Sequence, residues 1–234
     1  MGTRHVIVRH GEPWRTITQK EEKMWTQKQE YTVLSHFPNV AKNVVAIAAS
    51  LGGLQAISEI LSALPSDFPA AITVVQHLYP HYPSYMADIL SRCTPLTVLQ
   101  ASSGDQLRPG TVYIAPPNKH LLVNWDGTLS LSNLEKVNFV RPCADLLFES
   151  VATSFKERAI GVVLTGRGCD GARGVQAIRK MGGMVLTQSE ATCKCFSMPS
   201  FAIDTGCVDL ILPLNQIAFA LETLVMGAEA DVSA

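Results

Sequence analysis

Three polar residues follow three apolar runs that have the composition of buried strands. Ser50 follows the run at 44–49, His77 comes just after the run at 71–75, and Asp170 closes the glycine-rich segment after the run at 160–164. The carboxyl ends of parallel strands meet at one edge of a sheet, and ligands bind there. A serine nucleophile, a histidine base and an aspartate that orients the imidazole are the three roles of a hydrolase triad. The sequence therefore predicts that these side chains meet in a hydrolytic site.

Each of these residues has a simpler role when it is considered alone. The turn that contains Ser50 suits a nucleophile elbow, but a glycine-rich turn between strand and helix also serves as a phosphate cradle or a packing device. A single histidine such as His77 is more often structural, and Asp170 precedes a predicted helix that it would cap. The full dinucleotide fingerprint is absent, and the order serine, histidine, aspartate disfavours the α/β-hydrolase fold. The combination at three sheet-edge loops is what favours a triad.

Strand-like and helix-like segments alternate from residue 43 onward and must position these residues. Strands are predicted at 44–49, 71–75, 96–99, 111–115, 160–164, 184–186 and 208–212. Helices are predicted at 54–64, 82–92, 141–157 and 172–181, after Pro199, and at 214–225. Segments 120–124 and 128–132 flank a turn and predict a hairpin. The pattern is typical of an α/β fold with a doubly wound, mostly parallel sheet, helices on both faces and an antiparallel β-hairpin.

Composition limits the partners that the chain is expected to have. Its 234 residues are 47% hydrophobic and 17% charged, which is enough apolar material for a sizeable core. The formal net charge of −1 provides no global basic field for nucleic acid. No apolar run approaches the roughly 20 residues of a membrane helix, and residues 1–9 contain no apolar stretch typical of a signal peptide. We expect no nucleic-acid partner, no membrane insertion and a cytoplasmic location.

The cysteines form no pattern that predicts a metal site. There are six cysteines, and only Cys193 and Cys195 are close in sequence. Zinc sites usually combine two close pairs of ligands. We therefore expect reduced thiols, no metal and no cofactor.

The first part of the chain differs in composition from the rest. Residues 1–42 are rich in polar and charged side chains and show no sustained apolar period. We expect a polar N-terminal extension at 1–42, a single folded domain at 43–228 and a C-terminal tail at 229–234. The extension contains Arg9-His10-Gly11-Glu12, which resembles a strand end of the histidine phosphatases. We interpret this tetrapeptide as coincidental, because the long α/β domain of that family does not follow it.

A series of sequence blocks occurs in a defined order between residues 49 and 199. They are Ala49-Ser50 with Gly52-Gly53, Gln76-His77, Tyr113-Ile114-Ala115-Pro116 with Lys119-His120, Arg141-Pro142 with Asp145, Leu164-Thr165-Gly166 with Gly168 and Asp170-Gly171, and Glu190-Ala191 with Met198-Pro199. In residue types and order, these blocks resemble the catalytic domain of the chemotaxis-receptor protein-glutamate methylesterases. The resemblance covers about residues 43–226.

The resemblance implies a role for each residue of the predicted site. Ser50 would be the nucleophile, His77 the general base and acid, and Asp170 the residue that orients the imidazole. The backbone N–H groups of Arg167 and Leu51 would hold the oxyanion, and the glycines that would shape the site are Gly52, Gly53, Gly166 and Gly168.

The same resemblance implies an activity and its partners. The enzyme would remove methyl esters from glutamate side chains of methyl-accepting chemotaxis receptors and would deamidate receptor glutamines at the same site. Its partners would be the methylated cytoplasmic helices of such receptors. The alternative is a non-catalytic module of the same fold that binds receptors or signalling proteins. An intact Ser50, His77 and Asp170 argues against that alternative, since a scaffold needs none of them.

The chain departs from the family pattern in a few places. Ala48 stands for the first glycine of the serine block, Leu51 for a threonine and Arg167 for a methionine. A cation at Arg167 would favour acidic receptor helices, unless its side chain points into solvent. Many relatives carry an N-terminal receiver domain, and residues 1–42 are too few for a domain of about 100 residues. We therefore expect a stand-alone catalytic subunit or control by a separate regulatory or receiver protein.

Overall fold

The computed structural model of the chain describes residues 39–80 and 82–230, and nine segments of this part are strands. They are β1 (Val44–Ala49), β2 (Ala71–Gln76), β3 (Thr97–Gln100), β4 (Thr111–Ile114), β5 (His120–Val123), β6 (Leu129–Ser132), β7 (Ala159–Val163), β8 (Met184–Gln188) and β9 (Leu210–Leu212). Seven of them form one sheet in the order β3-β4-β2-β1-β7-β8-β9, and every neighbouring pair is parallel. The other two, β5 and β6, form an antiparallel hairpin.

Six helices of the described chain cover the two faces of the sheet. They are α1 (Gly53–Ala63), α2 (Met86–Leu90), α3 (Ala144–Phe155), α4 (Ala172–Lys180), α5 (Ser197–Asp204) and α6 (Leu214–Ala230). Buried residues of α1, α2 and α6 pack on one face, and buried residues of α3, α4, α5 and the hairpin pack on the other. The prediction of a doubly wound, mostly parallel sheet with helices on both faces and an antiparallel hairpin is confirmed.

The central strand β1 is apolar without interruption because both of its faces are buried. Ile47 packs on the face of α1, α2 and α6, whereas Ala46 and Ala48 pack on the opposite face. All six residues of β1 are buried. A parallel strand that is covered by helices on both sides needs apolar side chains in both directions, so an alternating pattern is not expected.

The direction of winding changes beside β1. From β1 the chain proceeds to β2, then to the edge strand β3 and back to β4 between them, and it later forms β7 on the other side of β1. The crevice beyond the carboxyl ends of β1 and β7 is therefore the topological switch point, where open α/β sheets bind their ligands. The turn after β1 carries Ser50, and the loop after β7 spans residues 164–171, so both lie at this crevice.

Two helices begin later than the sequence predicted, and each follows a proline. The helix expected at 82–92 begins at Met86 and ends at Leu90, and the helix expected from residue 141 begins at Ala144. Proline disfavours helical backbone in the residue before it, which applies here to the residues before Pro83 and Pro142. Cys143 then adopts an extended backbone with φ −119° and ψ 129° before α3 starts.

The described chain begins before the predicted domain start at residue 43 and continues past the predicted domain end at residue 228. Ala41 is fully buried and its N–H donates to the carbonyl of Leu107 at 2.8 Å, so packing begins before residue 43. The expected extension up to residue 38, including the His10 motif, lies outside the described residues, as do residues 231–234. The final helix continues to Ala230. Among the described helices, none combines the length and the apolar character of a membrane span.

Candidate active site

Ser50 is the first residue after β1, and its backbone is held from three directions. Its carbonyl accepts a hydrogen bond from the side-chain amide of Gln76 at 2.7 Å and another from the N–H of Gly53 at 2.9 Å. Its own N–H donates to the carbonyl of Thr165 at 3.1 Å. Gly52 has φ +86°, in the left-handed region that glycine enters without strain. These contacts fix the turn that carries Ser50 to the switch point.

His77 is the first residue after β2 and lies beside Ser50 across the sheet. Ala49 and Gln76 are the last paired residues of the two strands, and the N–H of His77 donates to the carbonyl of Ala49 at 3.1 Å. The Nε2 atom of His77 is 2.7 Å from Oδ2 of Asp170, with the imidazole 15% exposed. Since the Nε2–H group donates a hydrogen bond to the carboxylate, the other nitrogen of the neutral ring, Nδ1, keeps its lone pair.

Asp170 is 4% exposed, and its carboxylate lies against the N-terminus of α3. Besides the bond from His77, Oδ2 accepts from the N–H of Ala144 at 2.7 Å, and Oδ1 accepts from the N–H of Asp145 at 3.0 Å and from the Cys143 thiol at 3.1 Å. Burial raises the pKa of Asp170, but the hydrogen bonds from His77 and from the start of α3 outweigh it and leave the pKa below its ordinary value. Asp170 is therefore an ionised acceptor at neutral pH.

Asp145, in the first turn of α3, accepts hydrogen bonds from the start of α4 in the same way that Asp170 accepts them from the start of α3. Its Oδ1 accepts from the N–H of Gly171 at 3.0 Å and from the N–H of Gly174 at 2.8 Å, both at the start of α4. Burial raises the pKa of this carboxyl group, and here the hydrogen bonds do not reverse the effect. Asp170 lies two residues before α4 and caps α3, while Asp145 lies in α3 and caps α4. The start of each helix is thus capped by an aspartate from the other helix or from the loop beside it.

These contacts also account for a group of side chains that resembles a metal site. The potential ligand atoms of Cys143, Asp145 and Asp170 lie within 4.8 Å of one another, and all three residues are buried. A cysteine binds metal as the thiolate, whereas burial raises the pKa of the Cys143 thiol and its S–H donates to Asp170. The two carboxylates accept backbone N–H groups. Hydrogen bonding between two helix ends is sufficient to explain the cluster.

Two of the four glycines that were predicted to shape the site lie so close to neighbouring residues that a side chain would not fit. A Cβ on Gly166 would lie 2.8 Å from the Cβ of Ser50, and a Cβ on Gly53 would lie 2.6 Å from the Cβ of Ala49. Both distances are too short for real carbon atoms. The loop after β7 therefore reaches Ser50 only because residue 166 has no side chain.

The other two predicted glycines lie where the loops after β1, β7 and β8 meet. A Cβ on Gly52 would lie 2.8 Å from the Cβ of Lys194. Gly168 has φ +102°, and the Ser197 hydroxyl accepts from its N–H at 3.2 Å and donates to its carbonyl at 3.1 Å. The Thr165 hydroxyl donates to the carbonyl of Leu51 at 3.0 Å and joins the first two loops. Three of the four glycines thus lie in the loops around Ser50, and Gly53 is the first residue of α1.

The residues predicted to supply oxyanion donors lie in the same two loops. Leu51 directly follows Ser50, and its side chain is 45% exposed. Arg167 follows Gly166, and its side chain is exposed. Within the described chain, the backbone N–H groups of Leu51 and Arg167 make no hydrogen bond to a protein acceptor. That they hold an oxyanion stays a prediction.

Some residues around the site were given no role by the sequence analysis. Gln76 and Asp145 belong to blocks that resemble the methylesterases, so a signal was present for both. The spacing of Cys143 indicated nothing about Asp170. The contacts of Gln76 with Ser50 and of Cys143 with Asp170 span 26 and 27 residues, and such long separations leave no local pattern.

Two cavities lie beside these loops. One of about 380 Å³ lies behind the Ser50 turn and is lined by residues of α1 and of the loops after β7 and β8, including Gly52, Thr165 and Lys194. The other, of about 110 Å³, is bounded by His77, by Pro80 and by residues of the segment 136–142. Only the smaller of these two shares a wall with the imidazole.

The fold and the site together define the class of this protein. It is a doubly wound α/β protein in which a serine, a histidine and an aspartate lie around the switch point of a parallel sheet, with the histidine hydrogen-bonded to the aspartate. Comparison with protein families gives a match to the CheB methylesterase model over residues 45–221. The chain belongs to the CheB methylesterase family, which confirms the resemblance found in the sequence.

A solved structure shares this fold. The CheB methylesterase catalytic domain of Thermotoga maritima matches with a TM-score of 0.75 and 37% sequence identity. The match covers 78% of this chain and 98% of that one.

Curated relatives have related names. Protein-glutamate methylesterase FrzG of Myxococcus xanthus is 44% identical over 178 residues, which are 76% of this chain and 53% of that protein. A protein-glutamate methylesterase/protein-glutamine glutaminase of Symbiobacterium thermophilum is 38% identical over 77% of this chain and 50% of its own length. A shorter relative of Leptospira interrogans is 38% identical over 90% of its length. The chain thus spans about half the length of the first two relatives.

Proposed function

We propose that this chain is a protein-glutamate methylesterase that hydrolyses the γ-methyl esters of glutamate side chains in methyl-accepting chemotaxis receptors. The observation that carries the proposal is the 2.7 Å bond between His77 and Asp170 at the sheet edge directly beside Ser50. Membership of the CheB methylesterase family supports it, as do relatives named protein-glutamate methylesterase.

Ser50 acts as the nucleophile in this proposal. Its Oγ attacks the ester carbonyl while Nδ1 of His77 takes the hydroxyl proton, because Nε2 is already bonded to Asp170. Asp170 holds the ring in this tautomer and stabilises the imidazolium that forms. The hydrogen bonds that lower the pKa of Asp170 keep it ionised for that task.

The oxyanion of the tetrahedral intermediate is stabilised by backbone donors. The N–H groups of Leu51 and Arg167 have no protein acceptor in the described chain and flank Ser50 from two loops. Leu51 also lies just before α1, whose positive N-terminal end favours a developing negative charge.

The intermediate then collapses to products by ordinary acyl transfer. The C–O bond to the methoxy group breaks, and the imidazolium of His77 gives its proton to the departing oxygen, so that methanol leaves. Water then attacks the acyl ester of Ser50, with His77 again taking a proton, and the glutamate carboxylate is released with the serine restored. A receptor glutamine follows the same course with ammonia as the leaving group, and glutamate is again the product.

The cellular setting is part of the proposal. The substrate segments are methylated helices of the cytoplasmic part of a receptor, and the enzyme acts in the cytoplasm. Control by a separate regulatory or receiver protein is consistent with this setting.

We expect Ser50→Ala to abolish release of methanol from a methylated receptor while the protein stays folded. Loss of a triad nucleophile lowers turnover by about 10⁴-fold or more in serine hydrolases. The measurement is methanol release with the full chain, and Ser62→Ala, an exposed serine on α1, is the matched control. Turnover by Ser50→Ala comparable to that of the unmodified chain would remove Ser50 from the mechanism.

A reagent that labels activated serines distinguishes the proposed enzyme from a non-catalytic binding module. A fluorophosphonate should label Ser50, and labelling should be lost in His77→Ala because the hydroxyl then has no base. A non-catalytic binding module would show no labelling above that of an ordinary surface serine.

A further inference from the structure

A turn close to His77 exposes an aromatic side chain on an unusual backbone. Val137 and Val140 exchange both backbone hydrogen bonds, at 3.2 and 3.0 Å, and enclose a two-residue turn. The enclosed residues, Asn138 and Phe139, have φ +49° and +67°. Turns with two positive φ values favour asparagine followed by glycine. Phe139 takes the glycine position and is 94% exposed, so neither burial nor backbone preference explains a phenylalanine there.

The base of this turn is held by hydrogen bonds from the Arg141 side chain. The guanidinium of Arg141 donates to the side-chain oxygen of Asn118 at 2.7 and 3.0 Å and to the carbonyls of Asn133 and Leu134 at 2.9 and 2.8 Å. Two residues later, Cys143 donates to Asp170. Phe139 is therefore held at a defined position relative to the triad, as a preorganised binding residue requires.

The turn and the imidazole share the cavity of about 110 Å³. Apolar side chains of Leu78, Pro80 and Val140 line it together with the exposed cation Lys136. Strained residues that persist at a functional cleft usually serve binding or catalysis. A small apolar recess with an aromatic ring and a cation at its rim fits an amphipathic segment that offers an apolar side chain and a carboxylate.

We propose that Phe139 and Lys136 form a docking rim for the receptor segment that carries the methylated glutamate. Phe139 packs against an apolar side chain of that segment, and Lys136 pairs with one of its unmethylated carboxylates. This inference rests on the proposed function, because the occupant is the substrate of the same site. It adds the two residues that select the segment, which the triad by itself does not do.

The rim is tested by binding rather than by turnover. In the full chain carrying Ser50→Ala, we expect Phe139→Gly to weaken binding of a methylated cytoplasmic receptor fragment by at least tenfold, measured by calorimetry. Glycine accepts φ +67° without strain, so the melting temperature should stay the same or rise. Phe139→Tyr should retain binding. Phe219→Ala, which removes an exposed phenylalanine from α6 on the other side of the sheet, should leave binding unchanged.

The charge on the rim is tested separately. Lys136→Gln should weaken binding several-fold at low salt and make it less sensitive to added salt, because one exposed ion pair is lost. Lys180→Gln, at the end of α4, is the matched control and should change neither quantity.

The results distinguish this proposal from the proposed function. If Phe139→Gly binds the fragment as tightly as its parent, or if the parent does not bind it at all, the docking rim is wrong whatever Ser50 does. If binding depends on Phe139 but methanol release does not depend on Ser50, the rim stands and the proposed catalytic function fails.

Discussion

The carboxylate of Asp170 shows how single contacts set the chemistry of the site. An isolated buried carboxylate is costly, and burial alone would push its pKa upward. Donors from His77, from the Cys143 thiol and from the first N–H groups of α3 reverse the direction, so the pKa is lowered. The N-terminal end of a helix favours an anion through its free N–H groups and the positive end of the helix dipole. Asp170 is stable as an anion because a helix starts beside it.

We expect Asp170→Asn to lower ester hydrolysis by about 10⁴-fold, as removal of the orienting charge does in a serine triad. An amide in place of the carboxylate can present an N–H to Nε2 and so favour the wrong tautomer of His77. The measurement is kcat/KM with methylated receptor. A loss of less than about tenfold would show that His77 is oriented by other groups.

The same variant has a pH signature in its stability. The pKa of Asp170 is lower in the folded than in the unfolded chain, so ionised Asp170 adds to the free energy of unfolding. This contribution is complete above the ordinary aspartate pKa of about 4 and is lost as the pH falls through the lowered value. The difference in unfolding free energy between the unmodified chain and Asp170→Asn, measured with urea, should therefore shrink toward acid pH. A difference that grows on acidification contradicts the assignment.

At the scale of elements, α3 and α4 form a unit because Asp145 and Asp170 cap their starts reciprocally. Asp145 of α3 accepts N–H groups at the start of α4, and Asp170, two residues before α4, accepts N–H groups at the start of α3. A Cβ on Gly174 would lie 2.5 Å from that of Phe148, so α4 approaches α3 without a side chain between the backbones. Because Asp170 belongs to this unit, the position of α4 and the orientation of the His77 partner are linked.

Asp145 is expected to act as a positioning residue for the site. Asp145→Ala leaves the buried N–H groups of Gly171 and Gly174 without an acceptor, which should lower the free energy of unfolding by about 1–3 kcal/mol. It should also lower kcat, since Gly171, whose N–H would lose its acceptor, directly follows Asp170. Asp145→Asn keeps an acceptor oxygen and removes a carboxylate whose pKa burial raises, so its loss should be smaller. Urea unfolding and methylesterase assays measure both. Equal losses for alanine and asparagine would contradict the capping role.

At the scale of the whole described domain, the sheet separates two hydrophobic cores, one on each face. Many buried residues of α3 belong to one of them. Phe148 of α3 is fully buried. Its ring lies 3.7 Å from the position that a Cβ on Gly161 of β7 would take, and its Cβ lies close to Gly174 of α4. Gly174 thus makes room for Phe148, whereas the close neighbour of Gly161 is Ile178 of α4, 2.6 Å from the same Cβ position.

We expect Phe148→Ala to lower the free energy of unfolding by about 3–5 kcal/mol, because a large cavity would remain between three elements. Phe219→Ala, at a side chain that is 73% exposed, should change it by less than about 0.5 kcal/mol. Urea unfolding measures both variants. A small effect at Phe148 would mean that α3 can collapse onto the sheet and fill the space.

Much of the architecture was predictable because its causes are local. Apolar runs such as that of β1 predict buried parallel strands, and Ser50, His77 and Asp170 directly follow such strands or lie in the loops after them. The main errors lie at helix starts. The pattern predicts Pro83 and Pro142 as parts of helices, although each precedes its helix. The cap of α3 comes from the distant Asp170, whereas the N–H of Met86 at the start of α2 donates to the nearby Ser84 hydroxyl.

By itself, the sequence determined the parallel α/β fold, the family and the three loops that carry the candidate triad, because hydrophobic runs and short motifs act over a few residues. Only the tertiary structure decided which groups meet Asp170, how α3 and α4 cap each other, and that the turn with Phe139 stands beside His77. These contacts join residues that are distant in the chain. Their geometry follows from how helices pack on the sheet, and no local pattern of residue types records it.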